Sequence, residues 1–565
     1  MVVVCSIKPT SNDLAMKAFA CITYLLSLHR LNAFAPPSLL PHRNRITLHA
    51  TPAATSSNTS LASTYDLIVI GGGSAGLTAA KFASNFGKTV CIVESSRVGG
   101  DCTWTGCVPS KTLLSAAKRA WTWRQMNEKY GQSSVDDASL RNMLRSVKKE
   151  VDDNRNRIYE EDDSPGVLSD LGIDFAEGRA YFRDGHSVNV TNESDGATTQ
   201  INAKYGIVIA TGAAPGKSMF DIVGLDYVPF WTYENVWDEG GFFDAIEQIQ
   251  QGQVSKTRVI VVGGGPIGCE LSQAISRLGC SVVLVSRSPR LLPQMETEAS
   301  VALQEVFEKE GIDVICNQRI VSVTLNETGT GPIMASLESH EPIFGDHILI
   351  ATGRVPNIQN MGLDEIGVKI NPDTNGIRVN EKLQTSVKGV YAAGDCTGDR
   401  QFTHYAGFQG AIAARNILLP LKDDGVLIEL PSTTFTDPEV ASFGLTEQAA
   451  SDKYGENAVS VSFRPLAKID RAICEGTGDH GFIKIVYKTR TKQILGATIM
   501  SPAAGELVSE LSAVQAAKMP FDKLATVMHS YPSYSIALQQ MAAEVYYDKL
   551  KKGKALYDVL KKAGL

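Results

Sequence analysis

Leu67-Ile68-Val69-Ile70 is an unbroken apolar, β-branched run that stops at glycine, the pattern of a strand covered on both faces. A helical stretch follows to Phe86, and Gly87 ends it. Thr89-Val90-Cys91-Ile92-Val93 then reads as a second buried strand closing on Glu94. The same order returns further on. Val259-Ile260-Val261-Val262 precedes a helical stretch to Leu278, and Val282-Val283-Leu284-Val285 follows. Strand, helix and strand in this rhythm predict a parallel α/β sheet, present twice.

The joints between strand and helix carry the first chemistry. Gly71, Gly73 and Gly76 form Gly-x-Gly-x-x-Gly directly after the first strand. Glycines there allow a tight turn and let backbone N–H groups approach a pyrophosphate at the helix N-terminus. Glu94, at the end of the second strand, is placed to accept hydrogen bonds from a ribose. Gly263, Gly265 and Gly268 repeat the motif. Two such units imply two dinucleotides, as a flavin–nicotinamide enzyme needs. In the second unit the counterpart of Glu94 is Ser286, followed by Arg287 and Arg290. An acid would repel a 2′-phosphate and Arg would bind it, so the expectation is NADP(H) in preference to NAD(H). The plain alternative is that both Arg are surface residues.

Between the units stands Gly99-Gly100-Asp101-Cys102-Thr103-Trp104-Thr105-Gly106-Cys107-Val108-Pro109-Ser110-Lys111. Pro109 suits the start of a helix, which puts Cys107 near a positive helix end that favours a thiolate. A zinc site is the rival reading, but no second Cys/His pair has suitable spacing. The scattered Cys91, Cys269, Cys280, Cys316, Cys396 and Cys474 are expected to be buried, small apolar residues.

The Gly-Gly-x-Cys-x-x-x-Gly-Cys-x-Pro-Ser-Lys motif resembles that of the group I pyridine nucleotide–disulfide oxidoreductases, the family of dihydrolipoamide dehydrogenase, glutathione reductase and mercuric reductase. The likeness extends from Tyr65 to Gln540. Its landmarks include Ala210-Thr211-Gly212, Ala351-Thr352-Gly353-Arg354, Val390-Tyr391-Ala392-Ala393-Gly394-Asp395 and Phe435-Thr436-Asp437-Pro438-Glu439. The resemblance implies FAD, held in part by Thr211, Gly212, Gly353, Arg354 and Asp395, with Asp395 on the ribityl chain. It implies a Cys102–Cys107 disulfide, with Cys107 as the thiolate facing the flavin and Cys102 as the sulfur that meets the substrate. Lys111 and Glu270 match the family's ion pair near the flavin, and the C-terminal part makes a homodimer. The fold class expected is α/β: two Rossmann-like dinucleotide-binding domains, for FAD and NAD(P), plus a C-terminal α+β dimerisation domain. The boundaries are FAD-binding 65–225 and 356–428, NAD(P)-binding 226–355, dimerisation 429–545 and a helical tail 546–565.

One stretch departs from the disulfide-reducing pattern His-Pro-Thr-x-x-Glu. His529-Ser530-Tyr531-Pro532-Ser533-Tyr534-Ser535-Ile536 has Tyr531 for the His and Ile536 for the Glu. Tyr531 and Leu466-Ala467-Lys468-Ile469-Asp470-Arg471-Ala472 resemble the mercuric-reductase-like branch. Yet the chain shows neither a C-terminal Cys pair nor an N-terminal Cys-x-x-Cys. His529 is either an ordinary surface residue or a stand-in acid–base. The reading is an FAD enzyme passing electrons from NAD(P)H to a disulfide or a thiol-reactive metal ion. The alternatives are a dihydrolipoamide dehydrogenase or glutathione-reductase-type enzyme, and a flavin-binding module without chemistry. Retention of Cys102, Cys107, Lys111 and Glu270 argues against the last.

Composition trims this picture at the edges. The net charge of −7 and the absence of a basic block speak against nucleic acid. Residues 1–64 hold Lys8, Lys17, Arg30, Arg43 and Arg45 against Asp13 alone. The short apolar run Phe19–Leu28, Ala33 before Phe34, and a following acid-free, Ser/Thr-rich stretch predict a signal peptide plus transit peptide directing the protein to a plastid. Translation begins at Met1 or Met16. No later apolar run is long enough to span a bilayer, so no membrane span is expected in the mature protein.

Overall fold

The first glycine-rich joint lies at the C-terminal end of an inner strand of a seven-stranded sheet. In the computed structural model, which describes residues 61–130, 137–216, 221–249, 257–325 and 332–562, the strand Thr64–Ile70 pairs in parallel with Val90–Glu94 and Thr198–Ile209. Ile173–Glu177 lies outside Val90–Glu94, the strands Ser187–Thr191 and Arg179–Asp184 extend the other edge, and Val390–Ala392 pairs with Thr198–Ile209. The presequence expected over 1–64 lies almost wholly outside the described residues.

The second glycine-rich joint belongs to a five-stranded parallel sheet: Ile312–Ile315, Ser281–Val285, Arg258–Val262, His347–Ile350 and Phe230–Trp231. A five-stranded antiparallel sheet from Ser432–Thr434 to Ile494–Ser501 forms the C-terminal part. The helix after it, Ile536–Lys562, runs unbroken through position 545. Among the described residues no helix is long and apolar enough to cross a membrane.

Two packing contacts fix the chemistry between these sheets. Leu113, Ala116, Ala117 and Ala120, on the helix Cys107–Tyr130, share one buried cluster with Cys269, Leu271 and Ala274 of the helix Pro266–Arg277. Small residues on the facing sides let the two helices approach closely. Arg277, 4% exposed, then bridges Glu310 at 2.6 Å and Asp437 at 2.9 Å, joining the helix to the C-terminal part. Removing both carboxylates would strand a buried charge, at a cost of about 3–5 kcal/mol.

Candidate active site

The two glycine-rich joints have the same geometry. Gly71 and Gly263 sit at φ +106° and +122°, in the region that favours glycine. A Cβ on Gly76 would lie 1.8 Å from the Gly71 carbonyl oxygen, and one on Gly268 1.8 Å from that of Gly263. Gly73 and Gly265 cap the helices Ser74–Asn85 and Pro266–Arg277, so unpaired backbone N–H groups point out of each joint. Beside the first, a cavity of about 330 Å³ is lined by Gly71, Glu94, Gly178, Ala180, Thr211 and Asn357, among others. Glu94 accepts the Gly72 and Ser96 N–H groups, both at 2.7 Å, which fixes its carboxylate at the cavity. Gly212 and Gly353 also take positive φ, and Thr211 donates to the Asn357 carbonyl at 2.5 Å. Arg354 meets Asp395 at 2.9 Å. This cradle of donors and small residues fits the dinucleotide FAD.

At the second joint Ser286 is buried, and its hydroxyl accepts the Ser288 N–H at 3.2 Å. Arg287 is exposed beside it. Arg290 is turned away from this place: its guanidinium donates to the carbonyls of Pro293 and Met295, each at 2.9 Å.

Cys102 and Cys107 come together as free thiols in hydrogen-bond contact. Gly99 and Gly100 take positive φ and turn the chain into the short helix Gly100–Trp104. The next helix begins at Cys107 itself. The Cys107 thiol is lowered to about 6, first by the hydrogen bond from Cys102, then against burial by Thr403 and Lys111. Cys102 moves the other way, pushed up by that same bond and by burial. The result is a pair with one thiolate and one proton-holding thiol. Lys111 stands one turn beyond Cys107, on the same face of its helix. Its ammonium meets Glu270 at 2.9 Å and lies 4.6 Å from the Phe435 ring centroid. Glu270, 5% exposed, spends its other oxygen on the Phe435 N–H at 2.8 Å.

Sequence reasoning did not single out Thr403, whose hydroxyl lies 3.1 Å from the Cys107 sulfur, or Phe435 as a partner of the ion pair. Thr403 stands eight residues after Asp395, the end of a family landmark, which was the available signal. Of the scattered cysteines, Cys91, Cys269, Cys280 and Cys396 are buried as expected and Cys316 is half-buried, but Cys474 is exposed. It sits two positions after buried Ala472 on the helix Asp470–Glu475, which turns it outward.

The C-terminal candidates have polar partners on neighbouring elements of the same chain. Tyr531, 68% exposed, donates its hydroxyl to Asp470 at 2.9 Å, and that bond raises the phenol further above its ordinary range. The His529 side chain is only 7% exposed. Its Nε2 lies 2.7 Å from Glu510, and its Nδ1 lies 2.9 Å from the Val527 carbonyl.

Comparison with known proteins points to one family. A family model described as pyridine nucleotide-disulphide oxidoreductase matches residues 65–410, and the corresponding dimerisation domain matches 430–542. The chain is 32% identical over 489 residues to a dihydrolipoyl dehydrogenase of Thermus scotoductus, spanning 86% of this chain and 98% of that one. It is 33% identical over 447 residues to a mercuric reductase of Staphylococcus aureus, spanning 79% and 76%. Among solved structures, LpdA of Mycobacterium tuberculosis superposes with a TM-score of 0.71 at 27% identity, covering 85% of this chain and 99% of that one. The HOCl-induced flavoprotein disulfide reductase RclA of Escherichia coli, 23% identical over 85% of this chain and 99% of its own, shares the fold with a TM-score of 0.70.

Proposed function

The chain belongs to the pyridine nucleotide-disulphide oxidoreductases, and from that premise we propose that it is an FAD-dependent homodimer carrying electrons from NADPH to a thiol-reactive metal ion. FAD, when bound in the first glycine-rich unit, supplies two-electron transfer between the nicotinamide and the Cys102–Cys107 pair. The observation that carries the reading is the meeting of Cys102 and Cys107 at the start of the helix Cys107–Tyr130, with the Thr403 hydroxyl at 3.1 Å from the Cys107 sulfur and the Lys111–Glu270 pair one turn on. Cys107 keeps negative charge beside the flavin site, and Cys102 keeps the proton until it engages the acceptor. The Lys111–Glu270 pair stabilises charge that develops close by.

Support for NADPH comes from Ser286 and exposed Arg287, where an acid would repel a 2′-phosphate. With Arg290 tied to its own loop, that role rests on Arg287.

Support for a metal ion comes from the C-terminal stretch. Disulfide exchange needs a group that protonates the leaving thiolate, and imidazole is well matched to that task. Both ring nitrogens of His529 are engaged with Glu510 and Val527, and Tyr531 occupies the place where a freer imidazole would serve. Soft metal ions bind thiolates directly and need no such proton. The His529–Glu510 pair does favour a second reading, a disulfide reductase of the dihydrolipoyl dehydrogenase kind, with that pair replacing the missing His and Glu.

The test is a turnover screen of the purified dimer with NADPH and NADH against Hg(II), Cu(II), oxidised glutathione, lipoamide and quinones. Anaerobic NADPH titration should first give a long-wavelength charge-transfer band. Rapid lipoamide or glutathione turnover with no metal-ion reduction would replace the first reading by the second. A flavin inert to NADPH would end both. We further propose that residues 1–64 direct the protein to a plastid, on the order of charge, apolar run, Ala33-Phe34 and acid-free stretch.

A further inference from the structure

The loop from Cys102 to Cys107 is held from outside by side chains that the chemistry described so far does not use. Buried Trp237 comes from the segment between the strand Phe230–Trp231 and the helix Phe242–Ile249. Its indole N–H donates to the Thr105 carbonyl at 2.8 Å and is shared with the Tyr233 carbonyl at 2.8 Å. Arg155, on the helix Asp137–Ile158, donates to the Trp104 carbonyl at 2.9 Å. Trp104 and Thr105 end the short helix Gly100–Trp104, where carbonyls find no partner along the helix itself. Arg155 and Trp237 supply one to each. On the loop's other side the Asp101 carbonyl accepts the N–H groups of Thr105 at 3.0 Å and Gly106 at 2.5 Å. The turn that brings the two sulfurs together is thus pinned by donors from two distant segments.

We propose that Trp237 is a positioning residue that, together with Arg155, pins the Cys102–Cys107 loop and so keeps the reduced pair a strong reductant. The proposal rests on reading that pair as the redox couple. Reduction breaks the S–S bond and takes up two electrons, which NAD(P)H supplies in the enzyme. At neutral pH it also takes up one proton, retained by Cys102, and leaves Cys107 as thiolate. In the disulfide the bond itself ties position 102 to position 107, so the loop relaxes little when Trp237 lets go. In the dithiol that tie is gone, and the hydrogen bonds from Trp237 and Arg155 hold the loop in its place. Removing a pin therefore frees the dithiol more than the disulfide, as a cross-link acts mainly on the looser of two states. A freed dithiol is easier to form and a weaker reductant. The pinned one is the stronger.

The experiment equilibrates the holoenzyme at one neutral pH with mixtures of reduced and oxidised dithiothreitol. The dithiol fraction is then read by alkylation and mass spectrometry, for wild type, Trp237→Phe, Arg155→Met and Trp231→Phe. Trp237→Phe keeps a buried ring and removes the N–H. Trp231 lies in the same buried cluster but stacks on His347, so Trp231→Phe controls for loss of packing alone. Flavin absorbance and thermal melting confirm loading and folding. The equilibrium constant for reduction should rise about fivefold in Trp237→Phe, the weight of about one neutral hydrogen bond and equivalent to about 20 mV for a two-electron couple. Arg155→Met should move it the same way, and Trp231→Phe should leave it at the wild-type value. Amide hydrogen exchange over residues 102–107 should quicken in Trp237→Phe, more in the dithiol than in the disulfide. If Trp237→Phe does not fold, Arg155→Met carries the test. An unchanged constant in Trp237→Phe, a shift toward the disulfide in either loop variant, or an equal shift in Trp231→Phe would overturn the proposal. So would exchange that quickens equally in both redox states. A wild-type pair that never forms a disulfide would overturn it together with the reading beneath it.

Discussion

Thr403 offers the sharpest test of how the Cys107 thiolate is maintained. It opens the helix Thr403–Leu418, and its hydroxyl lies 3.1 Å from the sulfur. Thr403→Val keeps the branched shape and removes the O–H. A hydrogen bond to a charged group is worth about 1.5–3 kcal/mol, which corresponds to about one to two pH units. Thr403 is exposed, so water recovers part of that interaction, and the expected rise in the Cys107 pKa is about half to one unit. The direction is fixed. A thiol lowered to about 6 is ionised at neutral pH and loses its nucleophilic form as pH falls through that value. In Thr403→Val the loss should come at higher pH. The assay is the initial rate of iodoacetamide alkylation of Cys107 across about pH 5 to 9, in a Cys102→Ser background that keeps an O–H beside the sulfur. A midpoint that stays put, or moves down, would refute Thr403 as a donor to the thiolate. It would leave the Cys102 bond, helix start and Lys111 as the whole explanation.

The nucleotide preference should reverse in Ser286→Glu with Arg287→Ala. One charge-assisted hydrogen bond gives about 1.5–3 kcal/mol, or about one to two powers of ten in kcat/KM; equal wild-type values for NADPH and NADH would remove the assignment. Metal-ion reduction should fall in Tyr531→Phe if the hydroxyl helps hold the ion. Tyr531→His with Ile536→Glu should raise disulfide turnover by up to about 10²-fold. Fast wild-type lipoamide turnover, indifferent to Tyr531→Phe, would instead point to His529. A fluorescent protein carrying residues 1–64 should reach plastids and fail to do so with Phe34→Ala; the same destination for both would count against the proposed junction.

What was legible in the sequence is what a short stretch of backbone decides. Gly71 and Gly76 are readable because only a residue without Cβ fits where a Cβ would lie 2.3 Å from the Ala210 carbonyl oxygen and 1.8 Å from that of Gly71, respectively. The start of a helix at Cys107 is readable from Pro109 two residues on. Long-range partners were a different matter. Thr403 reaches Cys107, Phe435 reaches Glu270 and Tyr233 reaches Asp101 only because packed helices and sheets bring distant segments together. Arg290 shows the reverse case. Its type and position suited a phosphate, but Pro293 and Met295 leave two carbonyls facing back into the loop, and the guanidinium answers those.

The His529 region shows why residue type alone decides little about acid–base work. As sequence, His529 was either a surface residue or a substitute for the imidazole missing at Tyr531. The fold encloses its side chain, with a carboxylate from the helix Ala504–Ala516 on one nitrogen and a carbonyl from its own loop on the other. An imidazole with both nitrogens engaged must give up one of these contacts before it can move a proton to a substrate sulfur. The group left exposed there is a phenol, drawn further from ionisation by Asp470. The metal-ion reading therefore places the acid–base capacity in the thiol pair itself, where Cys102 holds the proton and Cys107 the charge. On that reading the acceptor binds sulfur without needing the proton moved, and the turnover screen decides it.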